Sequence, residues 1–462
     1  MRAQIKTLLL MAAVLAAIVV YAVIPAEITL DSYTIRKITL AHLSRLHIEQ
    51  TRQKRRAVKK TRRNQTVLFI GDSHIQSGHI SEYLRKKFQN KYGNAGRGTV
   101  FPYPLANSNG AVDFTAYSNQ AWQTFRLVYE QDVYPQMGAL GFVMGNSGNS
   151  FIEINFSDPK DSFDEVKIFN DNALTGEDFT IFKTSQSLKN FIKPKKTILN
   201  YQVQNGDTFP EIAAKFNVVT TRLVQLNGNN VRNAKAGQTI KVENVEILYN
   251  KQFEENLTPI GKGQFAENST SFKFKYPTQE FIINMNGKKG NILHGFQFLK
   301  STAKNGVVFN TVGVNGATYA DFLKYSLQTK QLKSLNIDVL IIALGTNESL
   351  SSITKQEFKD NAKKLINTWR AENPNFPILL ISPTDNKIKS AKAKEIASWI
   401  KEIAAENKTS FLDLHTKMGG IGYFQKALQR KEANADGVHF LKPGYEKQAE
   451  IIWNALEETP AK

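Results

Sequence analysis

Four short apolar runs constrain this chain more than any other feature. Thr66-Val67-Leu68-Phe69-Ile70 is the first, and Val307-Val308-Phe309-Asn310, Val339-Leu340-Ile341-Ile342-Ala343-Leu344 and Ile378-Leu379-Leu380-Ile381 follow only in the last third of the chain. Short runs of this kind, bounded by turn residues, read as strands buried on both faces. Amphipathic helices over about 355–372 and 391–406 alternate with the later strands, and another is expected over about 80–88. Strand–helix alternation predicts an α/β unit: a parallel sheet with helices on both faces. Its first strand lies far from the others, so a large insertion must split it.

The insertion has a different texture. Phe151-Ile152-Glu153-Ile154-Asn155-Phe156 and Ser271-Phe272-Lys273-Phe274-Lys275-Tyr276 alternate with period two, and Gly, Asn and Asp clusters punctuate the segment. Antiparallel strands in a β-sandwich-like module over 139–300 are expected. The stretch Gly145-Asn146-Ser147-Gly148-Asn149-Ser150 is turn chemistry, since it lacks the G-x-S-x-G spacing of a nucleophile elbow. Residues 198–243 interrupt the β-rich texture with a strand, turn, helix, helix, strand pattern, and Lys193-Pro194-Lys195-Lys196 reads as a linker into it.

The N-terminus differs again. Residues 7–26 carry no charge, and Arg2 and Lys6 precede them. Twenty helical residues at about 1.5 Å each span a bilayer core of about 30 Å, which predicts a transmembrane anchor. The rival reading is a cleaved signal, with Val20-Tyr21-Ala22 as a poor cleavage site. Residues 27–63 read as a basic helical linker, with eleven Lys or Arg and the single acid Glu49 between 36 and 63. That run contributes much of the net charge of +19. It is either a solvated helix or an attraction to anionic lipid or wall polymer. It lies on the C-terminal side of the apolar run, whereas cytoplasmic flanks are usually the basic ones. Nucleic acid is not an expected partner, because no recognition module accompanies the charge. The 462 residues include no cysteine, which excludes disulfides, thiol catalysis and cysteine-ligated metals.

In open α/β sheets, ligands meet residues just past the C-terminal strand ends. Four groups fall there: Ser73 in Gly71-Asp72-Ser73, Gly316 in Gly313-Val314-Asn315-Gly316-Ala317, Asn347 in Gly345-Thr346-Asn347-Glu348, and Asp436 with His439 in Asp436-Gly437-Val438-His439. A serine hydroxyl is a weak nucleophile and needs a base, which His439 supplies near neutral pH. Asp436, three residues earlier, would orient the ring and stabilise the imidazolium. The backbone N–H groups of Ser73 and Gly316 and the Asn347 side-chain amide would receive the oxyanion. Taken singly these are ordinary features: Ser73 a helix cap, Asp436-Gly437 a turn, His439 a structural histidine. Their order and placement carry the reading.

These blocks resemble those of the SGNH/GDSL hydrolase superfamily. The resemblance implies that Ser73 is the nucleophile, Gly316 and Asn347 are oxyanion donors, and Asp436 and His439 complete the triad. Gly313 is the alternative for the glycine block. Glu348 stands where the family usually has Asp. Gly71-Asp72-Ser73-His74 and Tyr92-Gly93-Asn94-Ala95-Gly96-Arg97-Gly98 further resemble the peptidoglycan O-acetylesterase branch, which carries an inserted β-sandwich. Arg97 either holds the glycine-rich loop or meets substrate. His74 belongs to the serine block, so His74 and His79 are not read as a metal pair, and no metal or other cofactor is expected. His415 is read as structural.

Residues 198–243 are similar to a LysM domain through Tyr201-Gln202-Val203, Gly206-Asp207-Thr208, the helix Ile212-Ala213-Ala214-Lys215-Phe216, Leu223-Val224-Gln225-Leu226-Asn227 and Ala236-Gly237-Gln238-Thr239-Ile240. LysM domains bind N-acetylglucosamine-containing glycans, including peptidoglycan. The resemblance places their groove at Gly206, Asp207, Thr208 and Phe209 on one side and Asn227, Gly228 and Asn229 on the other. A spacer that has lost sugar binding is the bland alternative.

The expected order is therefore anchor 7–26, linker 27–63, hydrolase parts 64–138 and 301–458, β-rich parts 139–197 and 244–300, and LysM 198–243. The expected fold is an SGNH-type three-layer α/β sheet. The expected function is a serine esterase that removes O-acetyl groups from peptidoglycan in the cell envelope, anchored in the inner membrane and facing the periplasm, or secreted if the signal is cleaved. Three alternatives stand beside it: acetyl transfer to a glycan, a non-catalytic glycan-binding scaffold, and a cytosolic lipid esterase, which the anchor and the LysM likeness disfavour.

Overall fold

The computed structural model describes residues 63–128, 136–216, 218, 220–228, 235–288 and 290–457. The expected anchor and basic linker lie outside the described residues, apart from Arg63. Among the described residues no helix is long and apolar enough to cross a membrane.

Five strands form the central sheet: β1 Gln65–Gly71, β2 Val307–Gly313, β3 Val339–Ala343, β4 Ile378–Ile381 and β5 Ser410–Leu412. Their order is β2-β1-β3-β4-β5, and every pairing is parallel. Both faces are buried, which explains the unbroken apolar runs. Side chains alternate along β1: Leu68 and Ile70 join the core beneath helices Lys355–Arg370 and Ser390–Glu406, while Val67 and Phe69 join the core beneath His79–Tyr92 and Lys442–Glu457. The order reverses between β1 and β3, so a crevice opens at their C-terminal ends. Gly71 sits level with Gly313 of β2 and Ala343 of β3. The residues just beyond those three positions therefore meet at one edge.

Two glycines make this end possible. A Cβ on Gly71 would lie 2.3 Å from Ile75 Cγ1 and 2.7 Å from the Ala343 carbonyl oxygen. A Cβ on Gly313 would lie 2.1 Å from the backbone nitrogen of Gln76. Any side chain at either position would push the serine turn off the sheet.

The insertion is a sandwich of two antiparallel sheets with five and six strands. Phenylalanines interdigitate between them, with Phe281 5.3 Å from Phe296 and Phe156 4.9 Å from Phe298. The sandwich starts earlier than the 139 boundary expected from sequence. Phe114–Ser118 and Gln123–Arg126, assigned above to the first hydrolase part, pair into the two sandwich sheets. They are four or five residues long, too short for alternation to show.

The segment 193–196, expected as a linker, is strand. It lies within strand Ile192–Gln202, which pairs along its full length with Thr239–Tyr249. This ribbon carries helices Phe209–Lys215 and Thr220–Asn227 at its tip, packed around Val203, Ile212, Leu223 and Val242. Pro194 is tolerated because a two-stranded ribbon leaves one side of each strand unpaired.

Candidate active site

Ser73 opens a four-residue helix, Ser73–Gln76, directly after β1. Asp72 caps it: its carboxylate accepts the His74 backbone N–H at 2.9 Å. The Ser73 hydroxyl lies 2.8 Å from His439 Nε2, and Asp436 Oδ2 lies 2.8 Å from His439 Nδ1. Residues 366 positions apart in sequence thus form one relay. With the carboxylate at Nδ1, the neutral ring carries its proton there, and Nε2 accepts from the serine hydroxyl. Asp436 is fixed by two further donors, the backbone N–H groups of Val438 and His439, both 2.9 Å from Oδ1. Partial burial works to raise this carboxyl, but those N–H groups and the ring outweigh it and hold the pKa below the ordinary value.

Gly316 and Asn347 line the same cleft as Ser73, Asp436 and His439, a space of about 550 Å³. Asn347 begins the turn after β3, where Gly345 adopts φ +118° to cap helix Thr346–Leu350. One amide hydrogen of Asn347 goes to the Ala317 carbonyl at 2.9 Å, which ties the two turns together and aims the amide. Gly316 is exposed, with φ +87°. Gly313 is instead the buried close-approach glycine at the end of β2. Of the two candidates, only Gly316 faces the cleft.

Sequence reasoning missed Gln76. Its side chain accepts the Asn315 N–H at 2.6 Å and donates to the Ser108 hydroxyl at 2.9 Å and the Asn109 carbonyl at 2.6 Å. It therefore pins the loop bearing Gly316 to the turn bearing Ser73. The available signal was its position one helical turn after the serine. His79 and Tyr445 also line the cleft and stack at 5.7 Å. His74 is buried against His439, with ring centroids 5.4 Å apart, and burial lowers its pKa. It packs behind the His439 ring. Among the described residues no cluster of three or more His, Cys, Asp or Glu could hold a metal.

Arg97 is 5% exposed and forms a two-pronged ion pair with Asp113. Arg85 shares Asp113 and also pairs with Asp161. Burial tends to raise the Asp113 carboxyl, but the two guanidiniums hold it below its ordinary range. Arg97 thus holds the glycine-rich loop and does not reach the cleft. His415 is buried, with its backbone N–H on the Ser382 hydroxyl at 3.0 Å.

In the small βααβ module the predicted sugar contacts divide. Phe209 is 3% exposed and belongs to the module's core, so its ring is not open to a ligand. Asp207 accepts from Tyr201 at 2.7 Å and from the Gln204 backbone at 2.8 Å, fixing the turn in which Gly206 takes φ +90°. Asn227 exchanges hydrogen bonds with the backbone of Lys241 and also donates to Leu223. Its side chain is thereby committed to holding the second helix against the strand. Thr208 and Gly228 stand in the two loops, and Asn229 lies outside the described residues.

The GDSL-like Lipase/Acylhydrolase family matches residues 295–447, and the LysM domain family matches residues 201–243. The first match includes Gly316, Asn347, Asp436 and His439. The chain therefore carries a GDSL-type acylhydrolase domain and a LysM domain. Among solved structures, a peptidoglycan O-acetylesterase is similar over 86% of this chain and 91% of its own, at 18% identity and a TM-score of 0.53. That likeness shows a shared fold over sheet and insertion. A lipase/acylhydrolase from Enterococcus faecalis matches 34% of this chain and 80% of its own, at 22% identity and a TM-score of 0.28. An acetyl-xylooligosaccharide esterase from Geobacillus stearmophilus matches 34% and 77%, at 16% identity and a TM-score of 0.28. No curated protein sequence matches.

Proposed function

We propose that this chain is a cell-envelope serine esterase that removes O-acetyl groups from peptidoglycan. The observation that carries this is the relay Ser73–His439–Asp436, with both links at 2.8 Å, beside Gly316 and Asn347 in one cleft. The LysM match supports a glycan as the polymer, and the fold shared with a peptidoglycan O-acetylesterase supports an acetyl ester as the bond.

In this reading the Ser73 oxygen attacks the acetyl carbonyl while His439 Nε2 takes its proton. Asp436 holds the resulting imidazolium. The tetrahedral oxyanion is received by the N–H groups of Ser73 and Gly316 and by the Asn347 amide. Collapse expels the sugar oxygen, which takes the proton back from His439 and leaves acetyl-Ser73. A water deprotonated by His439 attacks that ester, and acetate departs as Ser73 is reprotonated. The cleft is open, and the His439 side chain is 38% exposed. Water therefore reaches the base readily, as the hydrolytic step requires. The apolar run 7–26 would export or anchor the enzyme.

The test is acetate release from O-acetylated peptidoglycan, compared with Ser73→Ala. Release that depends on Ser73 supports the reading. Ser73-dependent acetyl transfer to a glycan without free acetate makes the chain a transferase. Glycan binding without either reaction makes it a scaffold.

A further inference from the structure

The described residues enclose a second groove, larger than the catalytic cleft at about 720 Å³. Three parts of the molecule wall it. The LysM helix Thr220–Asn227 contributes Arg222 and Gln225, the ribbon contributes Lys196 and Glu243, and the sandwich side contributes Tyr117 and Asn107. None of the loop residues 206–209 or 227–228 lines it. It is therefore a different surface of the module from the loops that the LysM likeness singles out.

Two features indicate its occupant. The first is charge. The charged lining groups are Lys196, Arg222 and Glu243. Both cations converge on the one carboxylate, Arg222 at 2.8 Å and Lys196 at 3.2 Å, and Glu243 is buried while the cations are partly exposed. One acid between two bases leaves the charged part of an otherwise largely apolar wall positive on balance, which favours an anion. The second is continuity. Asn107 lines this groove and Asn109 lines the catalytic cleft. Two residues of backbone span at most about 7 Å. A single polymer strand can therefore occupy both spaces across that loop.

We infer that the groove between the LysM module and the sandwich binds a carboxylate-bearing peptide branch of the glycan strand whose acetyl ester lies at Ser73. This rests on the peptidoglycan reading above, because the anionic carboxylates of that polymer are carried by its peptide branches. The groove makes the enzyme prefer peptide-bearing strands over stripped ones.

The experiment uses the full chain with Lys196→Glu and, separately, Gln225→Trp. Lys196 is 61% exposed at its side chain and Gln225 is exposed, so neither change alters core packing, and Arg222 still pairs with the buried Glu243 when Lys196 is replaced. Acetate release is measured on O-acetylated strands carrying peptides, on the same strands after amidase stripping and amidation of the lactyl carboxylates that stripping exposes, and on an aryl acetate. Lys196→Glu is expected to raise KM about fivefold on peptide-bearing strands only, with an effect that shrinks as salt rises. Gln225→Trp is expected to raise the same KM independently of salt. Aryl acetate turnover should be unchanged in both. Equal effects on stripped and peptide-bearing strands, or no effect on either, overturn the groove alone. A wild-type chain that turns over aryl acetate but releases nothing from either polymer overturns the peptidoglycan reading and the groove with it.

Discussion

Replacing Glu348 with glutamine isolates a charge that the fold suppresses. Glu348 follows Asn347, is 1% exposed, and accepts the Tyr319 N–H at 2.8 Å. Burial pushes its pKa up from 4.5 to about 8, against the lowering effect of the Tyr319 N–H, and Asp72 and Asp321 add to the rise. At neutral pH the folded protein therefore keeps the proton that the unfolded chain has lost. Between pH 4.5 and about 8 the folded state binds more protons, so stability falls as pH rises through that window and levels off above it. A shift of this size is worth about 4–5 kcal/mol. Glutamine cannot ionise, yet it keeps a carbonyl for the Tyr319 N–H. Relative to wild type, Glu348→Gln should thus gain about 4–5 kcal/mol between the two ends of the window. Urea midpoints followed by tryptophan fluorescence would report it, because Trp399 packs 5.7 Å from Phe358, which packs 5.3 Å from Tyr319. Parallel pH profiles for the two proteins would refute a neutral Glu348. Aryl acetate turnover should stay within about twofold, because the bond that holds the Gly316 loop survives.

Asp436→Asn should lower kcat by about 10³–10⁴ while the protein folds normally, since the amide presents the wrong hydrogen-bond partner to His439 Nδ1; steady-state kinetics with circular dichroism checks both. Asn347→Ala should cost about 10²–10³ in kcat with little change in KM, and an equal rise in KM would contradict an oxyanion role. Gln76→Leu should lower kcat about tenfold or more by releasing Asn315 and Asn109 together, a loss seen equally on aryl acetate and on polymer. Gly313→Ala should destabilise or prevent folding, because its Cβ would meet the Gln76 backbone; soluble, active protein at wild-type thermal midpoint would contradict that packing.

Legibility in the sequence followed the strength of local signals. The five strands of the parallel sheet are buried on both faces, and β1 to β4 are apolar throughout or nearly so. Ser73, Gly316, Asn347 and the Asp436–His439 pair were findable because each sits within a few residues of a strand end or in a compact turn. The sandwich strand Phe114–Ser118 was hidden, because its partner Ser150–Phe156 lies in a separate part of the chain and no turn links them. The ribbon reads as a linker because Lys193, Lys195 and Lys196 look solvated, and they are; pairing to the backbone, not burial, makes them a strand. Phe209 and Asn227 looked like ligand contacts because they fall in motif loops. Their side chains are consumed in closing a module too small to form a core without them.

The root of the insertion explains how a LysM module placed so far along the chain is tied to Ser73. β2 is an edge strand, and an edge leaves unpaired backbone groups. The first insertion strand, Gly98–Val100, covers it: the Thr99 hydroxyl donates to the Thr311 carbonyl at 2.8 Å and accepts the Thr311 N–H at 2.7 Å. Gly98 packs so closely on the Phe309 carbonyl that a Cβ would lie 2.4 Å away. The same segment pairs with Phe296, Gln297 and Phe298 of the sandwich, and the Arg97–Asp113 pair clamps its start. The sandwich is thus built onto the strand that leads into Gly316. From the sandwich, eleven paired residues per strand carry the LysM module, and its first helix rests against Gln123–Arg126. A flexible tether would only raise the local concentration of a bound glycan, whereas a continuous paired ribbon would also set where that glycan runs relative to Ser73. Under the proposed function, glycan held by the LysM module would select which acetyl group along a strand reaches Ser73, as well as bringing the polymer near.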